Sequence, residues 1–156
     1  MSFQCRGIDP QPFRPLFLLS DDELARRGAI RVVADAPDAY PCRVALERVR
    51  EGEELLLVHY AHQPNPASPY RAGGPIFVSR DARQPARYRD ELPPAFRDRL
   101  LSLRAYDREA LIVDAEVAEG NEVPALIDRF LSRPDVAHVD AHFARRGCFA
   151  GRIERL

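Results

Sequence analysis

Apolar residues along the chain recur with two periods, one typical of strands and the other of helices. Alternating or short continuous apolar runs predict strands over residues 29–33, 42–46, 54–60, 75–79, 101–106, 111–117, 136–144 and 148–153. Leucine, isoleucine and phenylalanine at helical spacing predict a helix over 123–132. A capping box that begins at Ser20 predicts a second helix over 21–27, and two consecutive prolines predict the start of a third over 93–100.

The connections between these elements favour antiparallel pairing. Most neighbouring strands are joined by a few residues, which suits hairpins better than parallel crossovers. The last two predicted strands form a hairpin around Arg145-Arg-Gly147, where Gly147 can adopt a positive φ. A chain of 156 residues can bury one core but not two ordinary ones. We therefore predict a single α+β domain over residues 1–156, with a mixed, mainly antiparallel sheet and about three short helices.

Residues 59–74 separate two apolar runs and follow neither period. Long connections of this kind are usually functional or disordered. Arg71 lies beside a glycine pair whose backbone amides could approach an anion, while Arg104 and Tyr106 share one face of a predicted strand. We therefore predict a polar, arginine-containing pocket bordered by the 61–74 loop. Its predicted ligand contacts are His62, Tyr70, Arg71, Gly73, Gly74, Arg104 and Tyr106.

Two of these assignments have structural alternatives. Arg104 could instead form a salt bridge to Asp114 on the return strand, and the glycines could serve turn geometry. The ligand expected for the pocket is an anionic or polar small molecule, because arginine recognises carboxylate and phosphate groups bidentately.

The strand near the C-terminus carries His138, Asp140 and His142 on one face. These residue types can bind zinc, but the two histidines are about 13 Å apart along an extended strand, too far for one ion. A metal site would therefore need two adjacent ligands plus a third from elsewhere, such as His59 or His62. A solvated polar face or an Asp–His pair is the alternative, and we predict no tightly bound metal. The other face is expected to pack into the core beneath helix 123–132. It consists of Val139, Ala141 and Phe143.

The three cysteines, Cys5, Cys42 and Cys148, are an odd number, which favours free thiols in a reducing cytoplasm over a disulfide framework. Cys148 or Cys42 beside a histidine such as His142 would be a candidate nucleophile. Cys148 follows a turn glycine and leads into apolar residues, so we predict a structural role for it.

Composition excludes several mechanisms. The chain has no lysine, so all 23 basic residues are arginines, and neither a Schiff base nor a phosphate-loop lysine is possible. The net charge of −1 does not indicate nucleic-acid binding. No apolar stretch approaches the roughly 20 residues of a membrane span, and the first residues do not resemble a signal peptide. We expect a cytoplasmic protein with no cofactor and neither a nucleic-acid nor a membrane partner.

Several short motifs resemble the bacterial domain-of-unknown-function family 1203. They are Pro41-Cys-Arg-Val, His62-Gln-Pro, Ser68-Pro-Tyr-Arg-Ala-Gly-Gly-Pro-Ile-Phe-Val78, Leu101-Ser-Leu-Arg-Ala-Tyr-Asp107, Val113-Asp114 and Gly147-Cys-Phe149. The resemblance covers nearly the whole chain. It implies a small bacterial single-domain protein and brings no activity with it.

Our leading functional hypothesis is a cytosolic small-ligand-binding or regulatory domain. One alternative is a small enzyme that uses a Cys/His pair or a His/Asp metal site. Another is an interaction protein whose proline-rich loop contacts a partner. Whether the protein is an enzyme is left open by the residues alone.

Overall fold

The computed structural model describes residues 1–156 and contains two β-sheets, two α-helices and one 3-10 helix. The strands are β1 (Phe3–Arg6), β2 (Ile30–Val33), β3 (Pro41–Cys42), β4 (Glu47–Arg48), β5 (Glu54–Gln63), β6 (Ala72–Ser79), β7 (Arg87–Arg89), β8 (Leu100–Tyr106), β9 (Ile112–Glu119), β10 (His138–Phe143) and β11 (Phe149–Arg155). The helices are the 3-10 helix Gln11–Leu18, α1 (Asp21–Arg26) and α2 (Val123–Leu131). No helix is both long enough and apolar enough to cross a membrane.

The strands form two sheets, and almost every pairing is antiparallel. One sheet has six strands in the order β7-β1-β11-β10-β8-β9, and the other has five in the order β2-β5-β6-β3-β4. Only the β3–β6 pair is parallel. The predicted α+β class and mainly antiparallel pairing are confirmed, but the strands divide between two sheets instead of forming one.

Local signals placed α1 and α2 correctly. The Ser20 hydroxyl accepts a hydrogen bond from the Glu23 amide at 3.3 Å, and the Glu23 carboxylate accepts one from the Ser20 amide at 2.8 Å. This is the capping box expected from the sequence, and it satisfies two free amides at the start of α1.

The helix predicted over 93–100 is wrong. Turn hydrogen bonds from Phe96 to Pro93 and from Arg99 to Phe96 shape this segment, and Leu100 already belongs to β8. Phe96 is fully buried, and the backbone of Arg97 lies so close to Gly120 that a β-carbon there would clash. Core packing therefore determines this segment's path, and the third helix is instead the 3-10 helix near the N-terminus.

Two predicted loop and strand boundaries also change. The strand predicted over 42–46 is confined to Pro41–Cys42, and a turn follows it. The irregular segment predicted over 59–74 is mostly sheet, because β5 and β6 extend into it and leave only residues 64–71 as a connection. A register shift between Tyr60 and Gln63 disturbs the alternation from which a strand would be recognised.

The six-stranded sheet packs one face against α2. Val139, Ala141 and Phe143 of β10 belong to the same buried cluster as α2 residues such as Ile127 and Phe130. The predicted core-facing side of β10 is therefore confirmed. The opposite side of this strand faces the five-stranded sheet, and this arrangement places its polar residues in the interior.

Candidate functional site

A cluster of polar side chains lies buried between the two sheets. Strand register places Asp140 on β10 directly between Arg104 on β8 and Arg152 on β11. His142 follows on the same face of β10, and His62 reaches this group from β5 of the other sheet. Asp140 and His142 are almost fully buried, so the alternative of a solvated polar face for β10 is wrong.

Asp140 is the anionic centre of this cluster. Arg152 donates two hydrogen bonds to its carboxylate, at 2.8 and 3.1 Å, and a third to the backbone carbonyl of His62 at 3.0 Å. Burial raises the pKa of Asp140, but hydrogen bonds from His62 and Arg152 outweigh it and lower the pKa overall. Asp140 is therefore charged, and the contacts of Asp140 and Arg152 with His62 of β5 link the two sheets.

The histidines extend the cluster toward Arg104. Nε2 of His142 lies 3.4 Å from both Nε2 of His62 and Nη1 of Arg104. Arg104 can only donate, so Nε2 of His142 is the acceptor. His62 can then donate to both His142 and Asp140 only when both of its ring nitrogens carry a proton. Burial, followed by the charge of Arg104, lowers the pKa of His142 to about 3. His142 is therefore neutral near physiological pH, and its buried Nδ1 has no hydrogen-bond partner.

Acidification is expected to destabilise the fold through His142. An unfolded histidine has a pKa near 6.5, whereas folded His142 has a pKa of about 3, so between these values the unfolded state binds more protons. Stability should fall as pH drops below about 6.5, by up to about 1.4 kcal/mol per pH unit for this one group. The pKa of His138 is also lowered, mainly by burial, and acts in the same direction.

Urea unfolding at a series of pH values measures this dependence. His142→Gln should reduce the slope between pH 6.5 and 4 by nearly one proton. His59→Gln, the same substitution at an exposed position of β5, is the matched control against which the slope is compared. An unaltered slope in the His142 variant would contradict the assignment.

The geometry does not support the alternative of a metal site on β10. No group of three histidine, cysteine, aspartate or glutamate side chains is arranged to hold an ion. The carboxylate of Asp140 is engaged by Arg152 and lies 3.8 Å from the Nε2 atom of His138.

A second feature is a cavity beside the hairpin that joins β10 to β11. Its volume is about 770 Å³, and it opens between that hairpin, the turn before β8 and the start of β3. Four arginines and one thiol line it. They are Arg43, Arg99, Arg145, Arg146 and Cys148. None of the four arginines forms an ion pair with a carboxylate, so we designate this the arginine-lined cavity.

Arg43 is the most unusual of these arginines because only 2% of its surface is exposed. It donates hydrogen bonds to the backbone carbonyls of Phe149 at 2.7 Å and Pro41 at 2.5 Å, and to the sulfur of Cys148 at 3.2 Å. Its guanidinium carbon lies 4.9 Å from the ring centre of Phe143. Burial lowers the pKa of Arg43 to about 10, so it remains cationic at neutral pH.

Cys148 is the only one of the three cysteines that lines this cavity. Cys5 and Cys42 are buried, and burial raises the pKa of Cys5 to about 12. Cys148 is only half-buried: it packs against the edge of the core cluster and also lines the cavity. No cysteine is hydrogen-bonded to a histidine, and the side chain that contacts the Cys148 thiol is Arg43. Cys42 and His142, the other catalytic candidates, are both buried, and neither lines this cavity.

The ligand contacts predicted from the sequence do not line the arginine-lined cavity. Tyr70 and Arg71 are exposed on the 64–71 connection, and Gly73 and Gly74 lie within β6, where Gly73 allows close approach of β5. The remaining three lie in or beside the buried polar cluster. They are His62, Arg104 and Tyr106, whose ring stacks on His138.

The 64–71 connection and the cavity lie at opposite ends of β8. The hydroxyl of Ser68 donates to the carbonyl of Ala110, just beyond the Tyr106 end, whereas Leu100 at the other end lines the cavity. Six strand steps separate these ends by about 20 Å. Arg71 therefore cannot share the cavity. The proposed Arg104–Asp114 salt bridge is also absent, because Asp114 pairs with Arg129 and Arg133.

Sequence reasoning missed Arg43 and Arg99 as site residues. Both are single arginines in a chain whose basic residues are all arginines, so neither stands out by type. The Pro41-Cys-Arg-Val motif was the only local signal, and it contains Arg43 without indicating burial.

Comparison with known proteins gives one match. A family model described as "Protein of unknown function (DUF1203)" matches residues 39–155, about three quarters of the chain. That range contains every residue that lines the cavity and the whole polar cluster. No curated protein and no solved structure matches the chain.

Proposed function

The chain belongs to the DUF1203 family of proteins of unknown function, and we propose that it binds a small anionic molecule in the arginine-lined cavity. The observation that carries this proposal is Arg43, a buried guanidinium without a carboxylate partner. A buried charge is costly unless an opposite charge compensates it. An anion in the cavity would supply that compensation.

The charge of the surrounding residues supports the same ligand class. Four arginines line the cavity against two carboxylates, Asp98 and Glu119, and Asp98 already pairs with Arg48. Arginine binds carboxylate and phosphate groups bidentately, which favours a ligand carrying one of these groups.

The aromatic wall indicates what else the ligand carries. Tyr40 and Phe77 meet edge to face at 5.2 Å, and together with Phe143 they line the cavity. A cavity of about 770 Å³ is within the usual range for small-molecule sites. We therefore propose an anionic ligand that also has an apolar or aromatic part. The three free thiols suit a reducing cytoplasm, where we place this activity.

Binding of 1-naphthoate, compared with the neutral isostere 1-naphthamide, tests the proposal by isothermal titration calorimetry. The wild-type protein should prefer the anion. The double variant R145E/R146E reverses two exposed cavity arginines and should weaken naphthoate binding about tenfold or more, because one charge-assisted hydrogen bond contributes about 1.5–3 kcal/mol.

R71E/R108E is the matched control, since it makes the same charge change at exposed positions near the opposite end of β8. It should bind naphthoate as the wild type does. Equal loss in both double variants, or no preference for naphthoate over naphthamide, would overturn the proposal.

A further inference from the structure

We infer that Cys148 is a nucleophile that forms mixed disulfides with anionic low-molecular-weight disulfides in the arginine-lined cavity. This inference rests on the proposed function, because the cavity that holds the anion also contains the thiol. It adds a reaction and a substrate class to the binding site: small disulfides that carry carboxylates.

Arg43 provides the first line of support. Its Nη2 atom lies 3.2 Å from the sulfur of Cys148, and its Nε and Nη1 atoms are held by the carbonyls of Phe149 and Pro41. These contacts fix the guanidinium in place before any reaction occurs. A positive charge held beside a thiol stabilises the thiolate, which is the nucleophilic form.

Access provides the second line of support. Cys148 is half-buried and lines the cavity, whereas Cys5 and Cys42 are enclosed. It follows Gly147, whose φ of +75° turns the chain at the hairpin, and it lies just after Arg145 and Arg146. Both arginines are exposed cavity residues, so they can attract the carboxylates of an incoming disulfide.

The proposed reaction is a thiol–disulfide exchange. The Cys148 thiolate attacks one sulfur of the small disulfide, and a new S–S bond forms as the original S–S bond breaks. The departing half leaves as a thiolate with the electron pair of the broken bond and takes a proton from water. Cys148 is oxidised to the mixed disulfide and the departing half is reduced, so the disulfide itself is the oxidant. A free thiol reverses the reaction.

Stopped-flow labelling of the folded protein tests this inference with two disulfides of opposite character. One is 5,5′-dithiobis(2-nitrobenzoate), which carries two carboxylates, and the other is uncharged 4,4′-dithiodipyridine. We expect fast labelling by the anionic reagent, located on Cys148 by peptide mass and abolished in Cys148→Ser. At neutral pH, Cys148 of the folded protein should react faster with this reagent than Cys148 of the urea-unfolded protein does.

The charge variants test whether the cavity arginines attract the anionic reagent or whether the Cys148 thiol reacts equally with any disulfide. R145E/R146E should lower the ratio of anionic to neutral labelling rates about tenfold, because long-range attraction of a charged reagent is lost. R71E/R108E should leave the ratio unchanged. Labelling of Cys148 no faster in the folded than in the unfolded protein, or a rate ratio equally reduced in both double variants, would overturn the inference.

Naphthoate binding by the wild-type protein distinguishes failure of the Cys148 inference from failure of the proposed anion binding. Naphthoate binding together with a slow, ordinary thiol would overturn the nucleophile alone. Loss of anion preference in both binding and labelling would overturn the nucleophile and the proposed function together.

Discussion

Replacement of Asp140 by alanine is expected to lower the free energy of unfolding by about 3 kcal/mol. Asp140 is fully buried and accepts two hydrogen bonds from Arg152. Its removal leaves that guanidinium between the sheets without an anion, and breaking a buried pair typically costs about 3–5 kcal/mol. The lower end applies because 32% of the Arg152 side chain is exposed, so water partly solvates the remaining charge.

Urea denaturation of Asp140→Ala and Asp135→Ala compares the loss of a buried ion pair with the loss of an exposed one. Asp135 also pairs with an arginine, Arg133, through two hydrogen bonds of 3.1 and 2.7 Å, but half of its side chain is exposed. An exposed pair contributes about 0–1 kcal/mol, so the control variant should be nearly as stable as wild type. Equal stability losses in the two variants would show that the buried polar cluster does not hold the sheets together.

Replacement of Phe143 by alanine should cost about 3–5 kcal/mol, as expected for a buried phenylalanine. Phe143 is 8% exposed and meets Phe96 edge to face at 6.3 Å. Its ring also lies beneath the Arg43 guanidinium, so the substitution removes a cation–π contact as well as apolar burial. Thermal and urea unfolding measure the effect.

Two further variants define what Phe143 contributes. Phe143→Leu keeps most of the apolar volume and should cost clearly less than the alanine variant. Tyr70→Ala removes an exposed aromatic ring and should change stability by no more than about 0.5 kcal/mol. If Phe143→Leu costs as much as Phe143→Ala, contact with the guanidinium outweighs apolar burial. A Phe143→Ala loss no greater than that of Tyr70→Ala would contradict the assignment of Phe143 to the core.

Local sequence patterns predicted the elements whose stability depends on near neighbours. The capping box at Ser20 and the helical apolar spacing of residues 123–132 placed both α-helices, because cap hydrogen bonds and one buried helix face involve residues a few positions apart. Alternation identified β8 and the core-facing side of β10 for the same reason. Gly147 has the positive φ expected at the hairpin turn.

The same patterns failed where distant segments decide the outcome. Alternation in β10 identified two faces, but whether water or a second sheet covers the polar face depends on His62, 78 residues away from Asp140. The burial of Phe96 keeps residues 93–99 in turns. The two prolines that predicted a helix start here carry no information about that packing.

The sequence by itself determined the class of fold, the two α-helices, the apolar side of β10 and the absence of lysine chemistry. Only the tertiary structure decided which arginines are buried and which thiol faces a cavity. Arg43 and Cys148 are 105 residues apart, and nothing local distinguishes either from other residues of its type. The periodicity of a sequence reflects contacts between residues a few positions apart. The groups that surround a buried charge come from distant segments, and only the completed fold brings them together.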